Sequence, residues 1–224
     1  KRPGFAANAT PATGIIGTAL QVFEGAGTGT RIISAFGAAT STIYDGTTSL
    51  GAITGYARGI VETDITATAT MLIASSNSTG WFFPTGGALT QITDVDYPSE
   101  AGRTTVGQFV TMDGYAFIMD SIGRIYNSDL NSITAWTADS FLRSTFEPPF
   151  NGVGLSRHYD TVVAFGKSSF EFYANMGHSD GSPLGRVHEP HKIGGILPAS
   201  YGTTIVTDGD DVYFLGTKQG IGGA

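Results

Sequence analysis

The run Gly114–Asn127, GYAFIMDSIGRIYN, decides the fold. It begins with an apolar strand-like stretch, passes through a polar turn with glycine, and returns in a second stretch that carries an aromatic. Four other segments share this layout. They are Arg31–Asp45 (RIISAFGAATSTIYD), Thr70–Pro84 (TMLIASSNSTGWFFP), Thr161–Asn175 (TVVAFGKSSFEFYAN) and Thr203–Leu215 (TTIVTDGDDVYFL). With the aromatic of each second run as marker, Tyr44, Phe83, Tyr126, Tyr173 and Phe214 are spaced by 39, 43, 47 and 41 residues. Propeller blades, each a four-stranded sheet, recur at about 40–50 residues. A hairpin of this kind cannot bury its apolar faces alone, whereas sheets stacked around an axis cover both. The expected fold is all-β and propeller-like, with about five blade-type repeats across residues 1–224. A β-sandwich, or two smaller β domains with chance spacing, is the competing arrangement.

Composition agrees. The 224 residues include 32 Gly, 14 Phe, 9 Tyr and 2 Trp, and only 14% are charged. Such a chain suits short strands and tight turns, and it carries too many aromatics for disorder. No segment reads as an amphipathic helix; Ser140–Thr145 reads as a short helical turn. Asp94–Gly102 and Phe146–Asn151 read as turn-rich linkers, and Gly177–Gly195 as the longest irregular stretch. The opening Lys1-Arg2-Pro3-Gly4-Phe5 and the closing Gly-Ile-Gly-Gly-Ala both read as internal. We therefore expect a piece of a longer chain.

The net charge of −7 and the pI of about 4.9 oppose tight binding of nucleic acid, which needs clustered Lys and Arg. An acidic surface still lets DNA slide past. With no cysteine, disulfides and thiolate metal sites are excluded.

Several constellations hold residue types able to carry chemistry. His178, His188 and His191, with Asp180 and Glu189, are metal-capable side chains, but His188-Glu189-Pro190-His191 has the wrong spacing and a proline for a zinc-protease helix. Asp208-Gly209-Asp210-Asp211 resembles part of a calcium loop yet reads better as a hairpin turn. Ser128–Trp136 resembles the Asp-box turn of sialidase-like propellers, a structural element in which an Asp ties up loop amides above a packed Trp. Arg124, Arg143, Arg157 and Arg186 show no triad spacing. Glu62/Asp64 and Asp94/Asp96 stand at the strand period, so each pair would share one face of a sheet and could serve glycoside hydrolysis. Gly166-Lys167-Ser168 lacks the upstream glycine of a phosphate loop. Asn8-Ala9-Thr10 and Asn77-Ser78-Thr79 match the glycosylation sequon. No catalytic, cofactor-binding or metal residue is assigned, and the chain is read as a non-enzyme. Tyr97, Phe146 and Phe150 are expected as exposed loop aromatics able to anchor subunit contacts.

Three ordered segments carry a family resemblance: Val162–Gly177 (VVAFGKSSFEFYANMG), Ser182–Ser200 (SPLGRVHEPHKIGGILPAS) and Asp210–Gly223 (DDVYFLGTKQGIGG). Together with Gly123–Phe141 and the Arg-Pro-Gly start, they resemble the phage stabilisation family. These are the tail hub or nozzle proteins, also called packaged-DNA stabilisation proteins, of short-tailed bacteriophages. The resemblance is firm in the last hundred residues and weak between about 46 and 105. It implies a virion protein in a sixfold ring below the portal and its adaptor. Such a ring retains packaged DNA, forms its exit channel without gripping it, and carries tail fibres or tailspikes. Two alternatives stay open: a glycan-binding or glycan-cleaving tail-associated propeller, and a cellular scaffold propeller.

Overall fold

The structure, a computed structural model, describes residues 16–23, 30–99, 102–145, 152–192, 204–208 and 211–216. Strands are the regular elements there, and they assemble into successive antiparallel meanders. The first sheet holds β1 (Gly17–Phe23), β2 (Arg31–Phe36), β3 (Thr40–Asp45) and β4 (Thr48–Thr54) in chain order. The second holds β5 (Ala57–Thr63), β6 (Thr70–Ser75), β7 (Gly80–Pro84) and β8 (Thr90–Gln91). The third holds β9 (Thr105–Met112), β10 (Tyr115–Asp120), β11 (Arg124–Ser128) and β12 (Trp136–Arg143). In the fourth, β13 (Gly152–His158), β14 (Thr161–Gly166), β15 (Ser169–Asn175) and β16 (Leu184–Arg186) follow one another, and β17 (His191–Lys192) pairs with the other end of β15. The fifth shows β18 (Ile205–Asp208) and β19 (Asp211–Phe214).

All five expected hairpins form, but they do not occupy one place. In sheets one to four the hairpin is the central pair of strands. In the fifth, β18 lies against β13, just as β13 lies against β9 and β9 against β5. It is thus the first pair of its blade, and Phe214 is out of phase with the other four markers. Two further expectations are corrected. Ser140–Thr145 is no helical turn, because Phe141 pairs with Tyr126 across β11 and β12 and their rings lie 5.4 Å apart. The irregular stretch from 177 contains β16, which closes the fourth sheet through Tyr173↔Arg186.

The core lies between blades. Along β6, Met71 and Ile73 face the first sheet with Ile33, Ala35 and Ile43, while Leu72 and Ala74 face the third with Phe109, Ala116 and Ile118. Along β10, Phe117 and Met119 face the fourth sheet with Leu155, Val162 and Ala164. Along β14, Val163 and Phe165 face Ile205 and Val212 of the fifth. Period-two alternation sends successive residues to opposite faces, and here both faces are covered, so these strands read as unbroken apolar runs. Each fully buried large side chain contributes about 1.5–3 kcal/mol.

Polar clasps join the blades at their ends. The first amide of β5, on Ala57, donates to Ser41 Oγ at 3.1 Å. That of β9, on Thr105, donates to Ser78 Oγ at 3.0 Å, and that of β13, on Gly152, to the Ser121 carbonyl at 3.1 Å. Ser156 and Thr207 hydroxyls bond between blades four and five. Tyr97 is the opposite case. It was expected at the surface, yet it is fully buried, edge-on to Trp136 at 5.0 Å, and its hydroxyl has no hydrogen-bond partner among the described residues. Its ring fills the space above Gly80, where a Cβ would come within 2.7 Å of the hydroxyl oxygen. Phe146 and Phe150 lie outside the described residues.

Two substitutions at equally buried hydroxyls should therefore differ in sign. Ser41→Ala orphans the Ala57 N–H and should cost about 1–3 kcal/mol. Tyr97→Phe removes an unsatisfied hydroxyl and should be neutral or stabilising by about 1 kcal/mol. Urea denaturation of the two variants beside the parent measures both.

Candidate functional site at the axis of the blades

The first strands of successive blades, β1, β5, β9, β13 and β18, stand side by side around an axis. Between them is a cavity of about 490 Å³, whose polar lining includes Gln21, Arg58, Glu62, Gln108, Arg157 and Thr207. The first strands of blades one to four share a device. The pairing register shifts between Gly17 and Ala19, between Ala57 and Gly59, opposite Phe117 and Met119 in β9, and between Gly152 and Gly154. Such bulges bend a strand and re-aim a side chain. Glycine permits them: Gly107 has φ +67°, and a Cβ there would lie 2.6 Å from Gly154 Cα on the next first strand.

The bulge in β5 carries Arg58. Its guanidinium donates to the Thr105 carbonyl of β9 and, at 3.4 Å, to the Ser76 carbonyl. Towards the other end of the strands, Arg157 donates from Nε to the Tyr159 carbonyl at 2.9 Å and from Nη1 to the Thr111 carbonyl at 3.2 Å. Glu62 is the carboxylate among the lining residues. None of the constellations read from the sequence lies whole at this site. Its available signal was a glycine inside each apolar strand, in ARGIV, TVGQF and GVGLS, which marks a bulge or close backbone approach.

The residues weighed from sequence fall elsewhere. His188 and His191 pack against Phe172, each with ring centroids 5.8 Å away, and His191 stacks on Phe170 at 5.1 Å. His178 is exposed and takes no part in these ring contacts. Among the described residues, no three His, Asp or Glu side chains are grouped to hold a metal. Glu62 lies on β5 but Asp64 lies beyond its end, so the pair does not share a strand face. Asp94 and Asp96 are in a turn, where Asp94 Oδ1 accepts the Asp96 amide at 2.9 Å, a local motif characteristic of Asp. Arg124 and Arg143 are cross-strand partners, Arg157 is axial, and Arg186 donates to Thr145 Oγ1 at 2.7 Å. Gly166-Lys167-Ser168 turns from β14 into β15. Asp208 and Asp211 close the last hairpin, with 209 and 210 outside the described residues. Asn77 is exposed in the β6–β7 turn, and Asn8 lies outside the described residues.

The Asp-box-like turn departs from its pattern. Trp136 is buried beneath it, but the loop amides of Thr134 and Ala135 donate to Ser132 Oγ at 3.2 and 3.0 Å, while Asp129 accepts from the Thr137 hydroxyl. In the same blade it is Asp120 whose carboxylate ties up turn amides, with Oδ1 accepting from Ile122 and Arg124 at 3.0 and 2.8 Å. Glu171, fully buried, is likewise structural. Its Oε1 accepts the Thr145 amide and hydroxyl at 2.9 and 2.8 Å, and its Oε2 accepts the Tyr173 hydroxyl. Burial, then the adjoining Glu171 carboxylate, push the Tyr173 phenol well above the ordinary tyrosine value; burial alone does so for Tyr97.

These two phenols stay protonated in the fold where unfolded tyrosines ionise, near pH 10. Above that pH the unfolded chain binds fewer protons than the folded one, so stability falls as pH rises; below it the contribution is fully present. Absorbance titration should show fewer than the 9 tyrosines ionising before the alkaline unfolding transition, and Tyr173→Phe should flatten the alkaline loss of stability.

No family model matches the chain, and no curated protein matches it. Solved structures do. The AfRom2 CNH domain is similar with a TM-score of 0.53 and 12% identity, over 87% of this chain and 62% of that one. BBS1N, solved in complex with ARL6DN, is similar with a TM-score of 0.50 and 9% identity, over 82% of this chain and 57% of that one. The chain thus spans about three-fifths of the length of these structures. At such identities the similarity concerns the fold alone: the chain is β-propeller-like.

Proposed function

We propose that the chain is a structural protein of a short bacteriophage tail. It stands in a ring, as hub or nozzle, below the portal and its adaptor. The ring retains packaged DNA and forms its exit channel. The observation that carries the reading is the ordered series of family-like segments, Gly123–Phe141, Val162–Gly177, Ser182–Ser200 and Asp210–Gly223. The use of the buried polar groups supports it. Asp120, Glu171, Ser41 and Ser78 all hold turns or neighbouring blades, which suits a rigid wall.

The axis of one propeller is not the DNA path. Spread along seven-residue strands at ~3.3 Å per residue, a volume of about 490 Å³ corresponds to a bore of roughly 5–8 Å, below the ~12 Å width of the major groove alone. Duplex DNA passes instead through the centre of the ring, between copies, which by the resemblance number six. The net charge of −7 gives that wall low affinity for phosphate. Adaptor and tail fibre or tailspike proteins are the expected neighbours on the ring.

Cryo-electron microscopy of the source particle should show the chain as a symmetric ring around the exit channel; a peripheral copy beside bound glycan would overturn the assignment. Binding of duplex DNA at physiological salt should be weaker than about 10⁻⁴ M, the weak end of non-specific association. Tight binding with a steep salt dependence would contradict the proposal.

A further inference from the structure

We propose that the axial cavity binds a small anion, a phosphate or carboxylate group, between Arg58 and Gln108. Four observations converge. Arg58 sits in the bulge of β5 and lines the cavity. Two carbonyls, of Thr105 and Ser76, hold the guanidinium in place while leaving it further donors, so it is fixed in advance of any ligand. Gln108, on the next first strand, has an amide without a hydrogen-bond partner among the described residues, and it also lines the cavity. Its side chain lies across Gly59, where a Cβ would be 2.5 Å from Gln108 Cβ and 2.7 Å from Oε1, so that glycine makes the room.

The charge favours an anion. The charged lining residues are Arg58, Arg157 and Glu62, a positive balance at the axis of a chain whose net charge is −7. The volume of about 490 Å³ falls in the usual range for small-ligand sites, ~300–1,000 Å³. A guanidinium binds a tetrahedral or planar oxyanion through paired N–H donors, and an amide N–H can add another. This inference does not rest on the tail assignment: a propeller of any role could hold such an ion to brace its first strands.

The test is thermal unfolding of the full chain at neutral pH, in chloride and in matched ionic strength of inorganic phosphate or succinate. At about five times the dissociation constant, a specific anion should raise Tm by about 2–4 °C. A rise with phosphate alone identifies a phosphate site, and a rise with succinate a carboxylate site. Two variants locate the site. Gln108→Leu removes an amide that holds no hydrogen bond among the described residues, so the variant should fold like the parent and lose most of the rise. Arg58→Gln should lower Tm in chloride, through loss of the Thr105 and Ser76 bonds, and abolish the rise. Equal Tm in all three salts overturns the proposal, as does a rise that persists in both variants.

Discussion

Everything in this molecule depends on sheets stacked face to face. A strand such as β10, with Ala116 and Ile118 turned to one neighbour and Phe117 and Met119 to the other, has no solvent side. The second, third and fourth blades each supply half of two cores, so none of them is complete by itself. The stacking also brings the first strands together at the axis, where their backbones approach within the space of a side chain. Gly107 against Gly154 and Gly59 beneath Gln108 follow from that crowding. The axial cavity and its bulges are thus consequences of the packing that makes the fold.

The polar chemistry is subordinate to the same constraint. Stacking apolar faces leaves the amides at the start of each new blade buried at the seam, and a buried N–H without an acceptor is costly. Ser41, Ser78 and the Ser121 carbonyl answer that need at three successive seams. Glu171 performs a related task at the seam of blades three and four, where it receives the Thr145 amide and hydroxyl. Abundant Ser and Thr in a chain with few charges is therefore a seam requirement as much as a strand preference. Asp94, one of the acids paired at the strand period, is a turn acceptor, and Asp120 and Glu171 hold turn and seam amides.

What was legible in the sequence follows the same physics. TMLIAS, YAFIMD and TVVAFG stand out because both faces of their strands are covered, so no polar residue interrupts them. β16 and β12 were missed because outer strands have one exposed side and weaker patterns. The fifth hairpin was recognised but its phase was not, since strand pairs one–two and two–three look alike without the neighbour that distinguishes them. Tyr97 was misplaced for a different reason: Asp and Pro around it signal a turn, and the ring's burial against Trp136 is set by a chain segment almost forty positions away. Asp129 and Asp120 each precede a Ser-containing turn, and only geometry tells which carboxylate receives the amides.

The meander order of the strands has a consequence for synthesis. Apart from β17, which pairs with β15, the strands of each sheet pair with their neighbours in the chain, and the cores are shared between successive sheets. The main contacts between strands reach no further than the neighbouring blade, so a chain emerging from the ribosome can bury the face of one blade as soon as its successor appears. At each stage a single apolar face awaits cover. Vectorial growth then limits the surface available for misassociation to the newest blade, however many blades have already been laid down.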